Sequence, residues 1–114
     1  MRLTISERMS ILDLLPIQGN IVTLRLLNDL RMKIALSAEE IEKYGIKQNK
    51  SEDGRVWVEW SPEFDRTRVD ISISEAEITL ISREIMRLDQ QNKLNVNSLP
   101  LYDYFVDGKE PEET

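Results

Sequence analysis

The chain has no cysteine and no histidine, and only four glycines and four prolines in 114 residues. Without cysteine there can be no disulfide, so stability must come from packing alone. Zinc sites built from Cys or His are excluded, as are Ser or Cys nucleophiles paired with a His base. No imidazole is present to switch charge near neutral pH. Gly19, Gly45, Gly54 and Gly108 are isolated, and each has a turn or cap role, so no phosphate-cradling loop is available. Long apolar runs are also missing. The longest falls far short of the roughly 20 residues a membrane-spanning helix needs. The start, "MRLTISERMS", has one early Arg but no apolar h-region and no small-residue cleavage site. It reads as the beginning of a mature cytoplasmic protein.

Apolar residues make up 40% of the chain and charged residues 32%, enough for one core in one domain. Net charge is −6. The segment 107–114, "DGKEPEET", has four acids and one Lys, hence −3, which leaves −3 for residues 1–106. The expected organisation is one globular domain over 1–106 and an acidic, disordered tail over 107–114. The body mixes both signs and has no basic stripe suited to phosphate backbones.

"RLTI" at 2–5 alternates, as a short strand or as the lead-in to a helix. Thr4 and Glu7 fit a capping box, with Ser6 as the other possible cap. That helix runs to about Leu15 and ends before "PIQGN", with Met9, Leu12 and Leu15 on one face. Asn20 can cap a second helix, "IVTLRLLNDLRMKIAL", whose main stripe is Leu24, Leu27, Leu30 and Ile34. Leu26 and Met32 widen it enough to suggest covering on more than one side. "SAEEIEKYGI" contains a complete short helix. Ser37 and Glu40 form a capping box, and Gly45 takes the left-handed C-terminal position so that Ile46 can fold back onto Ile41.

A hairpin follows around "SEDGR". A three-residue Glu-Asp-Gly loop ending in Gly54 pairs Ile46 with Trp60 and groups Ile46, Val56, Val58 and Trp60 on one face. Arg55, Trp57 and Glu59 then share the other. "SPEF" suits one helical turn, with Pro62 in first position. "RVDISIS" alternates as a third strand, with Val69, Ile71 and Ile73 opposite Arg68, Asp70 and Ser72. Ser74 and Glu77 cap the longest helix, "EAEITLISREIMRLDQQNK", whose seam is Ile78, Ile81, Ile85 and Leu88 and whose opposite side carries Arg83, Glu84, Arg87 and Gln91. "LPLYDYF" forms a last short helix that docks Leu101 and Phe105.

The fold class expected is α+β: a three-stranded antiparallel sheet covered on one face by a layer of three to five helices. Val56, Val58, Trp60, Val69, Ile71 and Ile73 should meet Leu12, Leu24, Leu27, Ile81 and Ile85. Glu39, Glu40, Glu42 and Glu84 fall on helix faces expected to be solvated, so no carboxylate pair is marked out for acid–base catalysis. No catalytic residue, metal site or cofactor is expected. "SEDG" falls short of a calcium loop, which needs ligands spaced across 12 residues. Three helices followed by a hairpin have the outline of a winged-helix layout, but the third helix, "SAEEIEKY", has three acids and one Lys, which phosphates repel.

The sharpest candidate is Trp57. Side chains alternate along a strand, so Trp57 and Trp60, three positions apart, point to opposite faces. If Trp60 enters the core, Trp57 lies outside it, flanked by Arg55 and Glu59, with Arg68 and Asp70 across the sheet. A cation–π contact or a covering helix could account for it. An aromatic anchor ringed by charge is also the composition of a protein interface.

The segments "LTISERMSILDLLPIQGNIVTLRLL", "GRVWVEWSPE" and "LDQQNKLNVNSLPLYDYF" together resemble small uncharacterised proteins encoded by bacteriophages and prophages, across nearly the whole chain. The shared features are structural words such as "LLPIQGN" and "SLPLYDYF". The resemblance implies a context, a bacterial host cytoplasm or a virion, and carries no site residues. The expected function is therefore a non-enzymatic module that binds a host protein, a virion protein or itself as a homo-oligomer, through Trp57, Arg55, Glu59, Arg68 and Asp70. Membrane association is not expected and nucleic acid is disfavoured. The alternative is a winged-helix-like, nucleic-acid-associated regulator.

Overall fold

A computed structural model of the chain describes residues 1–109. The elements, in chain order, are β1 (Arg2–Leu3), α1 (Ile5–Leu14), α2 (Ile21–Ile34), α3 (Ala38–Lys43), β2 (Lys47–Lys50), β3 (Val56–Glu59), β4 (Val69–Asp70), α4 (Glu75–Gln90) and α5 (Leu99–Phe105), with 3-10 turns at Pro62–Phe64 and Val96–Ser98. The class is α+β, as the hydrophobic patterning implies.

Local chemistry accounts for the helix ends. Thr4, Ser37 and Ser74 each close a reciprocal capping box, with Glu7, Glu40 and Glu77 respectively. Asn20 caps α2 by accepting from the Thr23 amide at 2.9 Å. Each cap satisfies otherwise orphaned N–H groups and is worth about 1 kcal/mol. Helix α3 ends in a Schellman turn. Gly45 has φ 63°, and the Ile46 amide donates back to the Ile41 carbonyl at 2.9 Å.

The core is built by the helices. Ile11 and Leu15, Leu27, Leu30 and Ile34, Ile81 and Ile85, and Leu101 and Phe105 pack together, joined by Leu3 and Ile71 from the strands. The α4 seam and the α5 anchors match the expected spacing. Leu24 does not: it is 37% exposed. Helix α2 is covered on one side only and leaves Ile21, Val22, Leu24 and Met32 open. Glu84, expected on an open face, is buried against Arg87.

The sheet differs from the expected three strands. There are two separate antiparallel pairs: β1 with β4, and β2 with β3. The "RVDISIS" segment pairs with the N-terminus (Arg2↔Asp70, Leu3↔Val69) and not with the hairpin. Its regular part is only two residues long because its partner has two residues before Thr4 starts α1. The terminal amine strengthens the pair, donating to Asp70 Oδ1 at 3.0 Å and to the Ile71 carbonyl at 3.1 Å. This pair delivers Leu3 and Ile71 to the core, so the hairpin is not needed there. Val56 is exposed, and Val58 and Trp60 are half-buried outside the main cluster. Of the expected acidic tail, 107–109 fold back, with the Lys109 amide donating to the Asp103 carbonyl at 2.8 Å. Its remainder, 110–114, lies outside the described residues.

Candidate functional site

The β2–β3 hairpin has the register that the Glu-Asp-Gly loop implies: Lys47↔Glu59, Gln48↔Val58, Asn49↔Trp57 and Lys50↔Val56. Gly54 has φ 87°, a conformation that side-chain-bearing residues rarely adopt. The Ser51 amide donates to the Arg55 carbonyl at 2.9 Å and closes the loop. Asp53 braces it from within, accepting from the Ser51 hydroxyl and, at 3.2 Å, from the Arg55 amide. These bonds, the Ser51 hydroxyl first, lower the Asp53 pKa.

The base of the hairpin is tied to α3. The Ser61 amide donates to the Tyr44 carbonyl at 3.1 Å, and the Tyr44 and Phe64 rings lie 4.9 Å apart between centroids. Burial fades from base to tip. Tyr44 is buried, Ile46 and Trp60 are half-buried, and Val56 is open. Trp60 uses its indole N–H on Asp65.

Trp57 lies outside the core. The residue is 44% exposed, and its Nε1 donates to Glu59 Oε1 at 3.0 Å. Arg55 stands beside it in solvent, 3.2 Å from Asp53. Three of the five expected site residues, Arg55, Trp57 and Glu59, therefore share one face of the hairpin. The other two do not join them. Arg68 and Asp70 flank or belong to β4, which pairs with β1. Arg68 donates to Glu7 at 2.6 Å, and Asp70 holds the terminal amine. Both tie the N-terminus down. Their alternation was legible in the sequence; the sheet they would join was not.

The least anticipated feature is Arg8. It lies on the buried face of α1, 2% exposed. Its Nε donates to the Ile34 carbonyl at 2.8 Å, and its Nη2 to the Ala35 carbonyl at 2.9 Å. Its fork also grips Glu40, at 2.6 and 3.1 Å. One guanidinium thus closes the C-terminus of α2 and the N-terminus of α3. The hydrogen bond from Arg8, with help from Ser37, holds the Glu40 carboxyl down to about 2. A second internal ion pair joins Lys33 to Glu77 at 2.6 Å. Burial pushes the Glu77 carboxyl up; bonds from Lys33 and Ser74 outweigh it and leave the pKa lowered. A basic residue on an otherwise apolar helix face was the one available signal for Arg8, and it reads equally as a solvated charge.

Helix α3, in the position of a recognition helix, has six residues, and its Glu40 is turned inward to Arg8. A cleft of about 490 Å³ lies beside the ends of α1 and α4 and includes Asp13, Glu84, Arg87 and Lys93. The Glu84 carboxylate there is already engaged by Arg87. Among the described residues no cluster of acids is placed to hold a metal ion, and no helix is long and apolar enough to cross a membrane. Comparison with protein-family models, with curated proteins and with solved structures finds no match to this chain.

Proposed function

We propose that this protein is a non-enzymatic interaction module that binds another protein through the projecting β2–β3 hairpin, with Trp57 as the anchor and Arg55 and Glu59 as its charged flank. In the phage context that the resemblance implies, the partner is a host protein, a virion protein or a second copy. One observation carries the reading: the hairpin contributes little to the core yet displays Val56 and Trp57 on opposite faces, 51% and 44% exposed. Exposed aromatic anchors ringed by polar groups dominate binding energy at protein interfaces.

The test is cross-linking of the full chain and a Trp57→Ala variant in bacterial lysate, with quantitative recovery of attached proteins, alongside sedimentation of each variant alone. Loss of specific partners, or of self-association, in a variant whose melting is unchanged supports the reading. Identical partners and identical association states refute it.

A further inference from the structure

Resting on the reading of the hairpin as an interaction surface, we propose that the free edge of β3 pairs antiparallel with the same edge of a second copy, across a twofold axis at Trp57. The product is a four-stranded sheet with strand order β2–β3–β3–β2.

The hydrogen-bonding parity of the edge permits it. Bonded and non-bonded pairs alternate along an antiparallel ladder. Ser51 and Arg55 form a bonded pair, so with this register Asn49–Trp57 and Lys47–Glu59 are bonded too. The N–H and C=O groups of Arg55, Trp57 and Glu59 therefore face β2, and those of Val56 and Val58 face outward. No other backbone hydrogen bond reaches Val56 or Val58 among the described residues. A lone two-stranded hairpin is marginal in water, and such an edge is a template for another strand.

The side chains select the register. A twofold at Trp57 sets Val56 against Val58 of the other copy, twice, and so uses every outward group within the strand. It sets Arg55 against Glu59 of the other copy, also twice, and the two Trp57 rings meet at the axis. Opposite charges and aromatic pairs placed directly across strands are stabilising. A twofold at Val56 would instead oppose Glu59 to Asp53, acid against acid. A twofold at Val58 would call on the backbone of Trp60, beyond the strand, and would set Arg55 against Ser61, which forfeits both charge pairs. Charge on an edge normally blocks pairing. Here the two charges are complementary under the twofold. Residues 47–59 hold Lys47, Lys50 and Arg55 against Glu52, Asp53 and Glu59, so the edge is locally neutral although the chain carries −6. The contact is small, which makes the dimer weak and concentration-dependent.

The chain has no cysteine, so introduced thiols report without background. The experiment compares disulfide formation in full-length Arg55→Cys alone, Glu59→Cys alone and an equimolar mixture. In the proposed register, residue 55 faces residue 59 of the other copy at about 4.5 Å between Cα atoms, within disulfide range. Two residues 55, or two residues 59, lie about 14 Å apart. In the mixed dimer the second Arg55–Glu59 ion pair remains intact. Disulfide dimer should form at least about tenfold faster in the mixture than in either variant alone. Val56→Pro removes one outward N–H and spares the bonds to β2, so it should hold the chain monomeric with an unchanged far-ultraviolet spectrum. Wild type that remains monomeric at high concentration, or disulfide rates equal in mixture and single variants, overturns the pairing. If that occurs while Trp57→Ala still loses cross-linked partners, the wider interaction reading stands.

Discussion

Replacing Arg8 with Met tests whether one buried guanidinium joins the first three helices. Met keeps the apolar stem and removes the fork. Four hydrogen bonds are lost, two to the last carbonyls of α2 and two to Glu40. Breaking a buried ion pair from one side costs about 3–5 kcal/mol. Glu40 is partly solvated, with its side chain 22% exposed, which places the cost at the lower end, about 3 kcal/mol. The pKa of Glu40 points to the same magnitude. Its carboxyl is held near 2 against an ordinary 4.5 by the Arg8 hydrogen bond, assisted by Ser37. That difference also corresponds to about 3 kcal/mol. The folded pKa lies below the unfolded one, so this stabilisation is complete above about pH 4.5 and disappears as pH falls toward 2. Urea unfolding followed by circular dichroism should show Arg8→Met about 3 kcal/mol less stable at neutral pH, with a melting point roughly 10–15 °C lower. Between pH 4.5 and 2 the variant should lose less further stability than wild type, because its Glu40 is no longer held down. A cost below about 1 kcal/mol at neutral pH, or parallel pH curves for both proteins, would refute the reasoning.

Other substitutions probe the remaining joints. Gly45→Ala places a methyl at φ 63° with its Cβ 2.9 Å from Ser61 Oγ, so it should cost about 1–2 kcal/mol and weaken protection of the Ser61 amide in hydrogen exchange. Lys33→Met leaves the Glu77 carboxylate buried without its cation. The expected loss is about 2 kcal/mol at neutral pH, and it should narrow as pH falls, because burial then dominates and raises the Glu77 pKa, so that protonation relieves the unpaired buried charge. Leu27→Ala should cost about 2–5 kcal/mol and Leu24→Ala under about 1, measured by urea midpoints, because only Leu27 is enclosed.

The features legible in advance are those that short stretches decide. Each capping box needs two side chains three positions apart, and all three stand where Thr4, Ser37 and Ser74 put them. The hairpin register follows from Gly54 at the end of its loop, and the reversal after α3 from Gly45. The features that escaped depend on distant partners. An alternating segment such as "RVDISIS" states its two faces but not its neighbour, and "RLTI" at 2–5, readable as a short strand or as a helix lead-in, does not say which strand it pairs with. Arg8 escaped for the same reason: its acceptors lie 26, 27 and 32 residues away.

This difference in range also explains why the hairpin stands apart. Parity assigns Val56 and Trp57 to opposite faces whatever surrounds them. It does not require either face to be covered. The β1–β4 pair already brings Leu3 and Ile71 to the helices, so a further apolar strand face has no place in the core. Had the hairpin existed only to complete the fold, burial on one side would have let its other side be wholly polar. Instead, apolar groups occur on both sides of β3, with the Val56 and Val58 edge facing away from β2. An exposed apolar group on each face and a free edge are consistent with the pairing proposed for this strand. Trp57 is then informative through its position: on the same strand as Val56 and Val58, it makes the hairpin costly to leave uncovered and specific in what can cover it.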